Sequence, residues 1–201
     1  MDVATPLTTN GVSTTPALET LTALVKERRS NLRMDPNQPV PIELAEQLCE
    51  LAMWAPNHMR TNPWRFAVFT GDGRDRLGDA LEAALVVRGE TDEQRLNKAR
   101  TKYRRAPMML VVGSAAHDDP ILHNENRDAV AAGVENVLLG ATAVGLASYW
   151  STGEVVSVAA VKELAGLDQR DQLVAIIYLG WPTAPLPAPP KVAPPITVIE
   201  G

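Results

Sequence analysis

The chain has 201 residues, 45% hydrophobic and 21% charged, enough for one domain with a substantial core. Its net charge of -5 argues against generic binding to nucleic acid or to anionic membranes. A single cysteine, Cys49, excludes an internal disulfide framework and any all-cysteine zinc site; no apolar run reaches membrane-spanning length and no secretory leader is visible, so the expectation is a soluble, cytoplasmic protein.

In chain order, residues 1 to 16 are rich in Thr and carry few large apolar groups, which predicts a disordered segment. A first helix is expected from Pro16, capped by Thr14 or Thr15, with Leu18, Leu21, Leu24 and Val25 on one face. It runs into a basic cluster, Lys26, Arg28 and Arg29, followed by Ser30, Asn31 and Arg33. A second helix starts at Pro41, carries Ile42, Ala45, Leu48 and Ala52 on its apolar stripe with Leu44 and Leu51 widening it, and stops at Pro56. Cys49 falls inside it, where a buried structural thiol is the expectation. Arg65 to Thr70 reads as a strand. Gly71-Asp72-Gly73 turns the chain, Leu77, Leu81 and Leu85 mark a third helix, and residues 91 to 104 read as a polar fourth.

Met108 to Val112 is a short buried strand, and residues 117 to 124 read as a polar loop. From Glu125 to Leu146 the pattern is helical and rich in Ala and Gly, so another backbone can come close; the helix is expected to be buried and central, at a subunit interface. Ser148 to Ser151 is expected to be extended, Glu154 to Ala165 helical, and Leu173 to Leu179 a strand covered on both faces. Residues 182 to 195 contain seven prolines and predict an extended arm, with Ile196 to Ile199 prone to add an edge strand.

Three stretches carry the candidate chemistry. Residues 54 to 66 set Asn57, His58, Arg60, Thr61 and Asn62 between Pro56 and Pro63, with Trp54 and Trp64 outside them; this is either a ligand loop or an ordinary surface connection. The basic cluster Arg28, Arg29 and Arg33 is either a set of solvated charges at a helix C-terminus or, with the hydroxyl of Ser30 and the amide of Asn31, a set of forked donors suited to a phosphate. The second basic group, Lys98, Arg100, Lys102, Arg104 and Arg105, reads as a solvated helix face. Gly71-Asp72-Gly73 fails the dinucleotide fingerprint because position 76 is Arg. His117 and His123, with Asp118, Asp119, Glu125 and Asp128, match no common zinc spacing; they read as solvated loop residues, and no metal site is assigned.

Taken in order, these pieces resemble the nitroreductase family of FMN-dependent oxidoreductases. The resemblance rests on Arg28-Arg29-Ser30, Pro39-Val40-Pro41 before the second helix, Ala55-Pro56, and Asn62-Pro63-Trp64-Arg65-Phe66. It continues in Gly145-Leu146-Ala147-Ser148-Tyr149-Trp150 and Leu179-Gly180-Trp181-Pro182. It spans residues 18 to 182 and looks most like the small YdjA-type members. It implies an α+β fold, a mostly antiparallel central sheet flanked by helices, in an intertwined homodimer. The domain would run from 17 to 182, with 183–201 as the arm.

The same resemblance implies FMN at the dimer interface. Arg28, Arg29 and Ser30 would hold its phosphate and ribityl chain. His58, with Pro56 and Asn57, would reach it from the partner subunit, and Trp150, Ser151, Thr152 and Gly153 would pass the flavin ring. NAD(P)H would be the reductant and a nitroaromatic, quinone or similar molecule the acceptor, in ping-pong order, with no obligatory catalytic side chain. Other flavin chemistry (dehydrogenation or flavin breakdown) and a non-catalytic flavin-binding protein are the alternatives. Two positions depart from the family pattern: Asn62 stands where Gln is usual, and Trp54 where close relatives can carry Arg. Lys191 is the one basic residue of the arm that could meet a phosphate.

Overall fold

The computed structural model describes residues 15–153 and 158–201. Most of the expected disordered segment, and the start of the helix expected from Glu154, therefore lie outside the described residues. Four strands, β1 (Trp64–Thr70), β2 (Met108–Ser114), β3 (Ala147–Ser151) and β4 (Gln172–Gly180), form one sheet in the order β1-β2-β4-β3. Every neighbouring pair is antiparallel, as the resemblance implies.

The two central strands are apolar throughout because both of their faces are covered. Met108, Leu110 and Val112 of β2, with Ile177 and Leu179 of β4, point into one core. Helix α2 (Ile42–Ala52) closes that side together with α5 (Pro120–Ala143) through Ala45, Leu48, Val130, Val134 and Val137. Met109 and Val111, with Ile176 and Tyr178, point into the other core. There they meet Leu77, Leu81 and Leu85 of α3 (Gly73–Val87), Leu96 of α4 (Glu93–Thr101) and Val161 of α6 (Ala159–Leu164). The β2–β4 register shifts between Val112 and Gly113, leaving Val174 as the extra residue, which is why the alternation of β4 breaks between Val174 and Ala175, both facing the first core.

Helix α1 (Pro16–Glu27) begins as expected, with the Thr15 hydroxyl accepting the N–H of Leu18 at 3.3 Å. Its apolar face does not join either core: α1 has no buried residue, and Leu18, Leu21 and Val25 are each about half exposed. The loop expected over residues 117–124 is also corrected. Asp119 caps α5 by accepting the N–H of Ile121 at 2.8 Å, and Pro120 occupies the first turn, where its missing N–H costs nothing. Polarity there marks a cap and a first turn rather than a connection. Ile196 to Ile199 pairs with no strand among the described residues.

The small residues of α5 act within the chain. A Cβ on Gly133 would lie 2.6 Å from the carbonyl oxygen of Ala52 and 2.8 Å from Nε1 of Trp64. One on Gly140 would meet the side chains of Leu51 and Leu48 at 2.7 and 2.8 Å. Glycine is thus required at 133, where backbone and an indole ring block a side chain, whereas at 140 only the ends of two leucine side chains would have to shift. Gly133→Ala is expected to lower stability by roughly 1–3 kcal/mol through overpacking, read as a reduced urea midpoint with unchanged slope. An unchanged midpoint would mean that the crossing is looser than described.

Candidate functional site

The chain leaves α1 through Arg28 and passes along the sheet edge. Ser30 forms a parallel bridge with Ser148 of β3, and the N–H of Asn31 donates to the Ser148 carbonyl at 2.9 Å. Arg28 to Ser30 is thereby fixed beside the strand that leads into Trp150, Ser151, Thr152 and Gly153. Two of the three sequence-predicted groups share one side of the molecule. Trp150 is half buried, and its indole N–H donates to the Val174 carbonyl at 3.4 Å. Thr152 and Gly153 are exposed, and Gly153 has a φ of +89° that suits glycine.

A cleft of about 830 Å³ opens at the end of α1. Lys26, Arg28, Arg29 and Ser30 line one part, Glu135 of α5 another, and the arm from Leu186 to Pro189, with Lys191, the rest. Four cations against one carboxylate make it an anion site in charge. Arg28 Nε stands 3.4 Å from the Glu135 carboxylate. Arg29 is engaged differently: it donates to the carbonyls of Lys26, Glu27 and Arg28, which the helix end leaves unpaired, and to Pro187 in the arm.

The third group, Pro56, Asn57 and His58, stands apart. His58 Nδ1 is 2.6 Å from the carboxylate of Glu125, ten residues before Glu135 on the same helix. Ten residues of α-helix span roughly 15 Å, so the His58 loop and the basic cleft occupy separate stations along α5. Both partners of the His58–Glu125 pair are substantially exposed, which makes it a weak source of stability. The loop is held from beneath. The Asn57 side chain accepts the N–H of Asn62 at 3.0 Å and donates to the Thr61 hydroxyl at 3.1 Å. Thr61 in turn donates to buried Asn126 of α5.

Met59, Arg60 and Asn62 all have positive φ, between 52° and 58°. That concentration is uncommon outside glycine, and it accounts for one departure from the family pattern. Asn tolerates the left-handed region better than Gln, and the Asn62 amide donates to the Arg60 carbonyl at 3.0 Å. Trp54 is 84% exposed and makes no part of either core.

Reading the sequence assigned no role to Asn126 or Glu135, and it offered Glu125 only beside His117 and His123, not as the partner of His58. Asn126 carried a usable signal, a polar residue on an otherwise apolar helix face; the two glutamates carried none, since exposed carboxylates on a helix are ordinary. Within the second basic group, Arg104 lies 2.6 Å from Asp75 and Arg100 3.5 Å from Glu82, and Lys102 stands over the Tyr103 ring. His117 and His123 accept backbone N–H groups through Nδ1 in the turn before α5, and no metal-ligating cluster occurs among the described residues. No helix among the described residues is long and apolar enough to cross a membrane.

Cys49 is partly buried, and burial, then the neighbouring Glu46 carboxylate, pushes its thiol up to about 11. Thiol labelling of the native protein is therefore expected to be slow at neutral pH and to accelerate only as pH approaches that value. Fast labelling at neutral pH would contradict the placement of Cys49 against the core.

The chain is similar to known proteins in sequence and fold. The sequence profile of the nitroreductase family matches residues 25–181. YdjA of Escherichia coli (strain K12), to which an NAD(P)H nitroreductase activity is ascribed, is 30% identical over 161 residues, covering 79% of this chain and 86% of its own. The crystal structure of a nitroreductase-like family protein from Bacillus cereus superimposes with a TM-score of 0.76 at 27% identity, over 90% of this chain and 96% of that one. A Bacteroides fragilis nitroreductase solved with bound FMN shares the fold, with a TM-score of 0.69 at 23% identity, over 93% of this chain and 100% of that one.

Proposed function

The chain belongs to the nitroreductase family, and on that premise we propose that it is an FMN-dependent NAD(P)H oxidoreductase acting as a homodimer. The observation that carries the reading is the cleft at the end of α1. It collects cations where a phosphate would need them, and one of its lining residues, Ser30, is bridged to Ser148 on the β3 edge, although no residue of β3 itself lines it. Its volume lies within the range of small-molecule and cofactor sites.

The residues present fit such a cofactor. Arg28, Ser30 and Lys191 would hold the phosphate and ribityl chain, and Arg29 borders them. Trp150, Ser151, Thr152 and Gly153 would flank the ring, with backbone N–H groups as its hydrogen-bond donors. FMN, when bound, supplies two-electron transfer between NAD(P)H and a nitroaromatic, quinone or similar acceptor, in ping-pong order. The protein's own work is to bind and orient. Cationic and N–H donors also favour the negative charge that reduction leaves in such a site. No side chain near the cleft is required as an acid or base, in keeping with protons drawn from solvent.

The separation along α5 supports a site built by two subunits. Pro56, Asn57 and His58 lie too far along that helix to join their own chain's cleft, and would serve the partner's. The exposed apolar face of α1 and the exposed Val192, Ile196, Val198 and Ile199 of the arm support the same assembly. Light scattering on the purified protein is expected to give twice the chain mass; a monomer that binds FMN at full occupancy would refute the shared site.

The purified protein is expected to be yellow and to consume NAD(P)H when a nitroaromatic is added. Arg28→Ala should weaken FMN binding by about 1.5–3 kcal/mol, the scale of a hydrogen bond to a charged group, read by fluorescence titration. Glu135→Gln, which removes the carboxylate competing for Arg28, should strengthen it by roughly two- to fivefold. Colourless protein that takes up no FMN would sink the reading, and an unchanged affinity in Arg28→Ala would sink the assignment of the cleft.

A further inference from the structure

The arm that forms the outer side of the cleft is an unusual wall. Prolines at 182, 185, 187, 189 and 190 have no N–H, so this stretch cannot join a sheet as a strand and offers mainly carbonyl oxygens for attachment. Donors from the segment after α1 meet them. Arg29 Nε donates to the Pro187 carbonyl at 3.2 Å, and Asn31 Nδ2 to the Ala184 carbonyl at 3.2 Å. Just before them, the Thr183 N–H donates to the Arg33 carbonyl at 2.8 Å. Residues 29, 31 and 33 alternate along one extended edge and stitch residues 183 to 187 to it.

Arg29 holds the outermost of these stitches. The other end of its guanidinium lies on the carbonyls of Lys26, Glu27 and Arg28, where the partial negative charge of the α1 C-terminus holds it. One side chain thus ties the arm to the helix that presents Arg28. Beyond this tie the arm continues to Lys191, which lines the same cleft as Arg28 and Ser30.

We infer that Arg29 is a positioning residue that clips the proline-rich arm to the end of α1 and so brings Lys191 to the phosphate end of the cleft. This rests on the reading of the cleft as a flavin-nucleotide site for its ligand, and on the hydrogen bonds alone for the clip. Arg29 then acts on the ligand through the arm, while Arg28 acts on it directly.

The test uses the full-length protein and two readouts. Trypsin cleavage of the Lys191–Val192 bond, followed by intact mass, reports release of the arm without any ligand. Arg29→Ala is expected to speed it roughly five- to tenfold, the scale of losing one solvent-exposed hydrogen bond. Arg29→Lys keeps the charge but cannot make the fork, and should move in the same direction, so a poorly folded alanine variant does not decide the outcome. The second readout is FMN affinity in a double-mutant cycle. Arg29→Ala should weaken FMN in the native background and have little further effect in Lys191→Gln.

Unchanged cleavage in both Arg29 variants overturns the clip. An equal loss of FMN affinity in both backgrounds overturns it too, because Arg29 would then be a direct ligand. Faster cleavage in a protein that binds no FMN upholds the clip and refutes the flavin reading instead.

Discussion

The close crossing of α5 over α2 at Gly133 is the contact on which the rest of the molecule depends. With no side chain there, α5 lies directly against the Ala52 carbonyl and the Trp64 indole, at the junction of α2 and the first strand. That junction is also where residues 54 to 63 leave the core. Once α5 is seated, its length sets distances across the molecule. Glu125 and Asn126 near its start engage the His58 loop, and Glu135 ten residues later engages Arg28. A rigid 24-residue helix therefore spaces the two polar stations that the proposed two-subunit site would use.

The sheet edge organises the other half of the site. β3 is an outer strand, and outer strands need their free backbone groups covered. Here the chain after α1 does so at Ser148, which also places the basic turn beside the strand that continues to Gly153. The same extended segment receives the returning chain after β4. Asp35 donates to the Trp181 carbonyl at 2.9 Å, Met34 bridges Pro182, and Trp181 Nε1 donates to the Pro39 carbonyl at 3.1 Å. Covering an edge, presenting a cation and anchoring the arm are thus one piece of backbone.

The strained loop from Met59 to Asn62 shows how support and exposure combine. Three left-handed residues cost free energy that the loop's own contacts offset only in part. What fixes them is buried Asn126, reached through Thr61 and Asn57. The result is a loop whose backbone is held from inside the protein while His58 and Met59 remain exposed, the arrangement expected of a group kept available to a ligand or a neighbouring subunit.

Much of this was legible in the residues themselves. The apolar runs around Met108 and Leu173 marked buried strands, the spacing of Leu77, Leu81 and Leu85 marked a helix, and the threonines before Pro16 marked a cap at Thr14 or Thr15, because these signals act within a few residues. The order of short motifs pointed to the family, and with it to the fold. Pairings between distant residues were not legible. No local pattern says that Glu135 meets Arg28, that Glu125 meets His58, or that Arg29 turns back onto its own helix end and outward to Pro187, since exposed charges look alike in a sequence. Nor could periodicity show that the apolar face of α1 stays uncovered within one chain, because an amphipathic helix reads the same whether its partner is its own core or another subunit. Local chemistry determined the elements and the family; only the packing of α5 and the route of the chain along the β3 edge decided which polar groups share a site.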